Sequence, residues 1–373
     1  MAILDYATSD GFRIHFIRIK RLFPSLALAW TVVSLGAATL AGLRSGPLSV
    51  RDVVAAGICG VVMGLCMAWF ETRPVRRNYL NRLPYLDVLF RALLYSAAVI
   101  GLVLLGWIVF SIFFPEDLIY QRTAALSDLW ADPQVRRFIF SLIIAAFVVN
   151  FILHVRLAMG PDNMRAFFLG TYRLPMSEER MFLFMDLVGS TSIAQRLGPL
   201  EFTHFKHEFF CDLSGPIAAT EGTIVQYVGD EVMLTWRKRD LSPTNNPLRF
   251  LTLVKRKLAD RSVYYSNRFG AHPLFRTGIH AGEVVVAEVG DTRRDIVYSG
   301  DVVNTAARLL QACRPAEVMM LVSKEAADWL GFDPHGSAAN AHNLSLRGRD
   351  APIVAYDDLS PVQRVNSPTR QLG

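Results

Sequence analysis

The chain has 373 residues, of which 52% are hydrophobic and only 19% charged, with a mean hydropathy of +0.28 and a net charge of +6. Globular chains of this size carry about 25% charged residues, so the balance argues against a disordered chain and against a purely soluble enzyme. The four cysteines show no paired framework, which suits a reducing compartment.

Residues 1–24 are a basic lead-in. Four stretches free of Asp, Glu, Lys and Arg follow, at 25–43, 53–70, 92–114 and 138–155. Crossing about 30 Å of hydrocarbon at 1.5 Å per residue takes about 20 residues, so each stretch can span as a helix. Arg13, Arg18, Lys20 and Arg21 precede the first span, and Arg73, Arg76, Arg77 and Arg82 fill the second connection. The first connection has only Arg44 and Arg51, and the third has Arg122, Arg136 and Arg137. Basic excess marks the cytoplasmic side, which places both termini of a multi-pass inner-membrane protein in the cytoplasm. The first stretch is long for a signal peptide, and no small-residue cleavage site follows it.

The expected organisation is therefore a cytoplasmic segment at 1–24 and a four-helix transmembrane domain at 25–157. A coupling linker follows at 158–180, entered at the helix-breaking Gly160-Pro161. An α/β domain occupies 181–358, and 359–373 form a polar tail read as disordered.

Within the α/β domain, 181–187 read as a strand buried on both faces. A helix is expected over 190–210. Strands at 223–227 and 231–236 flank Val228-Gly229-Asp230 as a hairpin. A long helix runs to about Phe269, followed by two strands at 275–280 and 283–289 around Ala281-Gly282. A helix is expected over 301–312, a strand over 318–322, a short helix over 324–330, and late strands near 344–346 and 353–356.

Asp186 ends a buried strand and Asp230 sits at a hairpin tip. Neighbouring strand ends approach within about 5 Å, where two carboxylates repel unless a cation bridges them; Mg²⁺ takes such oxygens and completes its shell with phosphates. Two unrelated loop aspartates would look the same. Gly189, Ser190 and Thr191 open the next helix, whose first N–H groups can cradle a phosphate, and Ser190 or Thr191 also fits a plain N-cap. Asn304 and Arg308 are four apart and share one helix face. Together they suit a ribose and an anionic phosphorus centre, or a surface pair.

Taken in order, FLFMDLVGST, YVGDEVMLTW, GIHAGEV and SGDVVNTAARL resemble the class III nucleotidyl cyclase catalytic domain over about residues 176–357, and the four spans ahead resemble bacterial membrane-anchored members. The resemblance implies a ferredoxin-like α/β domain with an antiparallel sheet, working as a head-to-tail homodimer. It implies that Asp186 and Asp230, helped by the Leu187 carbonyl, hold two Mg²⁺ or Mn²⁺ ions per active site. Arg308 from the partner chain would stabilise charge on the α-phosphorus, Asn304 would orient the ribose, and Arg347 would bind phosphate. Gln226 and Val297 stand where the family usually has its base-selecting pair, a Lys and an Asp or Thr.

The implied function is a membrane-bound adenylate cyclase that converts ATP to 3′,5′-cyclic AMP and pyrophosphate. Its implied partners are ATP, a second copy of the chain and the lipid bilayer, with no nucleic acid. Gln226 and Val297 keep two alternatives open: a guanylate cyclase acting on GTP, and a catalytically weak nucleotide-binding membrane receptor. A diguanylate cyclase is disfavoured, because Val228 replaces the first glycine of that motif and the Asn304/Arg308 helix would be unexplained.

Overall fold

The computed structural model describes residues 160–244, 246–292, 294–332, 340–345 and 352–357, together with scattered helical positions between 24 and 155. The chain divides into two compact units, Met1–Met159 and Gly160–Gly373. Among the described residues no helix is long and apolar enough to cross a membrane. Much of each expected span, along with Leu346, Arg347 and the tail 359–373, lies outside them.

In the first unit, the described positions at 24–39 and 54–67 are helical and touch. The Trp30 indole N–H donates to the Met67 sulfur at 3.1 Å. A Cβ on Gly60 would fall 2.5 Å from the Thr31 Cα, and one on Gly64 2.5 Å from the Ala27 Cα. Two glycines four residues apart thus let one helix backbone lie directly on another, the small-residue contact that also packs helices in lipid. Large apolar side chains point outward in this unit, among them Leu28, Val32, Ile58, Phe140 and Phe151.

The second unit opens with helix α1 (Pro161–Leu169), so Pro161 starts a helix. Proline suits a first turn because its missing N–H has no partner there. Strand β1 (Met176–Leu187) begins five residues earlier than the sequence reading places it, inside the segment read as linker. Helix α2 (Ser190–Ala219), strands β2 (Thr223–Val228) and β3 (Glu231–Arg237), helices α3 (Pro247–Asp260) and α4 (Ser262–Phe269), and strand β4 (Phe275–Val289) complete a βαββαβ unit. The four strands lie in the order β2-β3-β1-β4, all neighbours antiparallel, which is the ferredoxin-like arrangement. Strand β5 (Asp295–Ser299) pairs with β4, and helix α5 (Asp301–Ala312) follows. Strand β6 (Met320–Ser323), helix α6 (Lys324–Trp329) and strands β7 (Ala341–Leu344) and β8 (Ile353–Tyr356) finish the fold.

The sheet is mixed, correcting the expectation of an antiparallel one, because β6 runs parallel to β4. A parallel pair needs a long crossover, and α5 supplies it. The two strands expected at 275–289 are one, since Ala281 and Gly282 sit in an unbroken ladder opposite Met181 and Arg180. Helix α2 runs to Ala219, nine residues past the expected end, with a kink at Gly198 (φ 76°) before Pro199. The long helix after 247 is two helices meeting at Arg261.

Strand β1 is buried on both faces, as its apolar run requires. Met181, Leu183, Met185 and Leu187 join the core with α2, α3, α4 and α6, while Phe182 and Phe184 join Val302, Ala306 and Leu310 of α5. Helix α5 lies on β4 because two glycines leave room. A Cβ on Gly278 would fall 2.2 Å from the Leu310 nitrogen, and one on Gly282 2.7 Å from a Val302 methyl.

Helix α2 is tied to the α3–α4 junction by Asp212, which is 5% exposed. It accepts from Arg261 Nη1 and from the Tyr265 hydroxyl, both at 2.7 Å. Removing one partner strands the other as an uncompensated buried charge. Arg261→Met is expected to cost about 3 kcal/mol and lower the thermal midpoint of this unit by about 10 °C. Calorimetry of the full chain checks it, and an unchanged midpoint would show that Asp212 is solvated.

Candidate active site

Asp186 is the penultimate residue of β1, and Asp230 follows Gly229 (φ 63°) in the β2–β3 turn. Because β1 and β3 are neighbours, with Met185 opposite Val232, the strand end meets the turn and the two carboxyls lie close enough to perturb each other. Burial, then the neighbouring Asp230 carboxyl, then Glu231, push the Asp186 carboxyl up to about 7. The Leu187 backbone N–H donates to Asp186 and opposes the shift. Asp230 Oδ2 is buried with no hydrogen-bond partner.

This donor set fits a hard divalent cation. It offers two carboxylates with mutual repulsion to relieve, an orphaned acceptor, and oxygen donors throughout. Among the described residues no three His, Cys, Asp or Glu side chains converge, so backbone and substrate oxygens would have to complete a shell.

Gly189, in the left-handed region (φ 69°), is the N-cap of α2, and no side chain caps the helix. Ser190 and Thr191 therefore occupy the first turn and are not the cap. The first-turn N–H groups are left for an anion beside Asp186.

Asn304 is exposed on α5, and Arg308 is half-buried with Nη1 lacking a hydrogen-bond partner. Val302, Thr305, Ala306, Leu309 and Leu310 form the buried stripe of this helix. Asp186 continues the alternation of Phe182 and Phe184, which face α5, so the carboxylates and the Asn304/Arg308 helix belong to one side of the sheet.

Gln226 is exposed on edge strand β2, just after a register shift at Ile224. Val297 is 40% exposed on β5, opposite Ala287. Strands β3, β1 and β4 separate them in the sheet, so they are not ladder neighbours. Arg347 lies outside the described residues.

Two residues at the site escape the sequence reading. Glu231, whose carboxyl is raised by burial and by Asp230, adds a third negative group; its signal was its place next to Asp230. Lys206 of α2 donates to the Gly229 carbonyl at 3.3 Å, against the β2–β3 turn, a contact that spans 23 residues and has no local signal. A cavity of about 450 Å³, lined by Glu178, Glu179, Arg237, Lys238 and Arg239, lies at the far end of β1. Its acids and bases are already paired, Lys238 with Glu179 at 2.7 Å and Arg237 with Glu178 at 3.6 Å.

Residues 175–356 match the family described as the adenylate and guanylate cyclase catalytic domain. This segment is a cyclase catalytic domain. It is similar to adenylate cyclase 2 of Rhizobium meliloti (34% identity over 48% of this chain and 49% of that protein). It is also similar to adenylate cyclase 1 of the same organism (29% identity; 52% and 30%) and to the adenylate cyclase of Anabaena cylindrica (30%; 57% and 41%). The chain spans half or less of the length of these relatives.

The raised Asp186 gives the cyclase domain a pH signature. The folded state holds this proton more tightly than the unfolded state, so its contribution is fully present below the ordinary carboxylate range and is lost as pH rises through about 7. In chelator, the Asp186 contribution to the thermal midpoint is expected to fall from about pH 4 to about pH 7, the window between the unfolded and folded carboxyl values. Asp186→Asn should flatten the fall, and divalent ions should oppose it. A midpoint that rises over this window in chelator would refute the assignment.

Proposed function

We propose that the chain is a membrane-bound adenylate cyclase that converts ATP to 3′,5′-cyclic AMP and pyrophosphate in sites shared between two copies. The observation that carries this reading is the Asp186–Asp230 pair with its orphaned acceptor, on the same side of the sheet as the unpartnered Arg308 guanidinium nitrogen. The relatives' names as adenylate cyclases support ATP. Outward apolar side chains and the Gly60/Gly64 helix contact support a lipid setting for the first unit.

Asp186, Asp230 and the Leu187 carbonyl would hold Mg²⁺ or Mn²⁺. When bound, two such ions neutralise the triphosphate and acidify the ribose 3′-hydroxyl. The first-turn N–H groups at Gly189, Ser190 and Thr191 take phosphate oxygens. Asn304 of the partner subunit hydrogen-bonds the ribose and aims its 3′-oxygen in line with the α-phosphorus. As that oxygen bonds to phosphorus, the bond to pyrophosphate breaks and the hydroxyl proton is released. Arg308 of the partner subunit donates to the oxygens where charge accumulates, in a water-poor cleft where such contacts count most. Gln226 offers the purine one donor and one acceptor, whereas Val297 offers only apolar contact.

The test is a product assay on purified full-length protein with ATP or GTP and Mg²⁺ or Mn²⁺. Cyclic AMP and pyrophosphate formed faster than cyclic GMP are expected. Cyclic GMP as the faster product would move the substrate to GTP. Nucleotide binding without either product would leave a receptor.

A further inference from the structure

We infer that Tyr172, in the segment that leads into β1, is a positioning residue: its phenol holds Arg180 in place, and through Arg180 and Tyr298 it fixes the strand that delivers Asn304 and Arg308. The inference rests on the cyclase reading for its kinetic consequence, but its structural consequence stands apart from it.

The starting point is an electrostatic conflict. Arg180 of β1 and Arg237 of β3 stand directly opposite each other, and like charges in that relation destabilise a sheet. Arg180 is also only 3% exposed, so it must be compensated inside the protein. Glu178 supplies the charge, accepting from Arg180 Nε at 2.7 Å, with Arg237 Nε at 3.6 Å. Burial pushes the Glu178 carboxyl up, yet Arg180, Tyr172 and Arg237 outweigh it and hold the group below its usual range.

Tyr172 closes the ring. Its hydroxyl donates to Glu178 Oε1 at 2.9 Å and accepts from Arg180 Nη2 at 3.1 Å and Arg237 Nη2 at 2.9 Å. A phenol has one proton and two lone pairs, and all three are used. The residue is pinned from its backbone too, where the Glu288 N–H of β4 donates to the Tyr172 carbonyl at 2.7 Å.

The ring then reaches the catalytic helix. The Arg180 guanidinium lies 5.0 Å from the Tyr298 ring centroid, and Phe182 meets the same ring edge-on at 5.7 Å. Strand β5 is held by its five-residue ladder with β4 and by Ile296 and Tyr298, which pack on the core beneath α5; Tyr298 is the one of these two that Arg180 and Phe182 meet. Two residues later Gly300 opens α5, which carries Asn304 and Arg308. Without the Tyr172 hydroxyl, Arg237 Nη2 loses this acceptor and Arg180 is held only through its Nε and Nη2 contacts to Glu178 Oε2, both at 2.7 Å, so one of the two constraints that keep its guanidinium over Tyr298 is gone.

The experiment uses the full chain in nanodiscs with Tyr172→Phe, Tyr298→Leu and the double variant. Each single variant is expected to lower kcat by about 10- to 100-fold, the scale for a small misplacement of catalytic groups, with KM for ATP changed less than about twofold. The double variant should be no slower than the slower single one, because both cut one route. Hydrogen exchange of residues 295–304 should accelerate in Tyr172→Phe while α3 is unchanged. Multiplying kcat effects, an unchanged kcat with a lowered thermal midpoint, or unaltered exchange at 295–304 would overturn the inference. If the wild type makes no cyclic nucleotide, the activity reading fails and the exchange result alone decides this one. Should Tyr172→Phe not fold, Tyr298→Leu, which leaves the hydrogen-bonded ring intact, carries the same expectations.

Discussion

Chains carrying Asp186→Ala, mixed with chains carrying Arg308→Ala, are expected to make cyclic AMP although neither variant makes it alone. Asp186 lies beside Asp230 at one end of β1; Arg308 is half-buried on α5, and its Nη1 has no acceptor among the described residues. If the acceptor is a nucleotide held by the other copy, each site needs one carboxylate pair and one guanidinium from different chains. Each variant by itself should fall at least about 10³-fold, the scale for losing a transition-state contact in a closed site. With random pairing of equal amounts, half the dimers are mixed and each mixed dimer keeps one intact site of two. Recovery should therefore approach about a quarter of wild-type activity in the mixture and about half in the isolated mixed dimer. Two affinity tags and tandem purification secure the mixed dimer. Mixed dimers that stay inactive would mean both groups serve one site within one chain.

Gly278→Ala is expected to do more damage than any other single methyl added to this domain. The new Cβ would lie 2.2 Å from the Leu310 nitrogen, 2.4 Å from the Ala306 carbonyl oxygen and 2.9 Å from the Leu309 carbonyl carbon. All three are helix backbone, so no side chain can swing aside, and α5 itself must lift from β4. That helix carries Asn304 and Arg308, so kcat should fall at least about 100-fold, as a 1 Å displacement of a catalytic group can cost that much. Overpacking should also cost about 3 kcal/mol of stability. Gly270→Ala is the control. Gly270 has a positive φ (59°) but nothing within 4 Å, so strain of about 1–2 kcal/mol should appear with kcat unchanged. Equal kcat in the two variants would show that the seat of α5 on β4 does not govern catalysis.

Much of the candidate site could be read from the chain because its parts are local. The apolar run that makes β1 a buried strand ends in Asp186, and Gly229 marks the turn that presents Asp230. The four-residue spacing of Asn304 and Arg308 is helical geometry. These depend on backbone periodicity and turn chemistry, which neighbouring residues set. The ends of elements were read less well. Ala281-Gly282 has the composition of a turn, yet the pairing of β4 with β1 continues straight through it, since a ladder bonded on both sides outweighs the weak strand preference of two small residues. Gly282 is small because Val302 lies above it, which no local pattern shows.

The sequence by itself determined the four apolar stretches, the order of the motifs, the buried central strand and the kinds of groups brought to the site, since composition, period and spacing are properties of short segments. Only the tertiary structure decided that β6 joins β4 in parallel, that α5 sits on two glycines, that Lys206 braces the hairpin, and that Tyr172 completes a ring with two arginines from different strands. Those are contacts between residues tens of positions apart, and they exist because burying charge and backbone together leaves few arrangements in which every donor and acceptor is met.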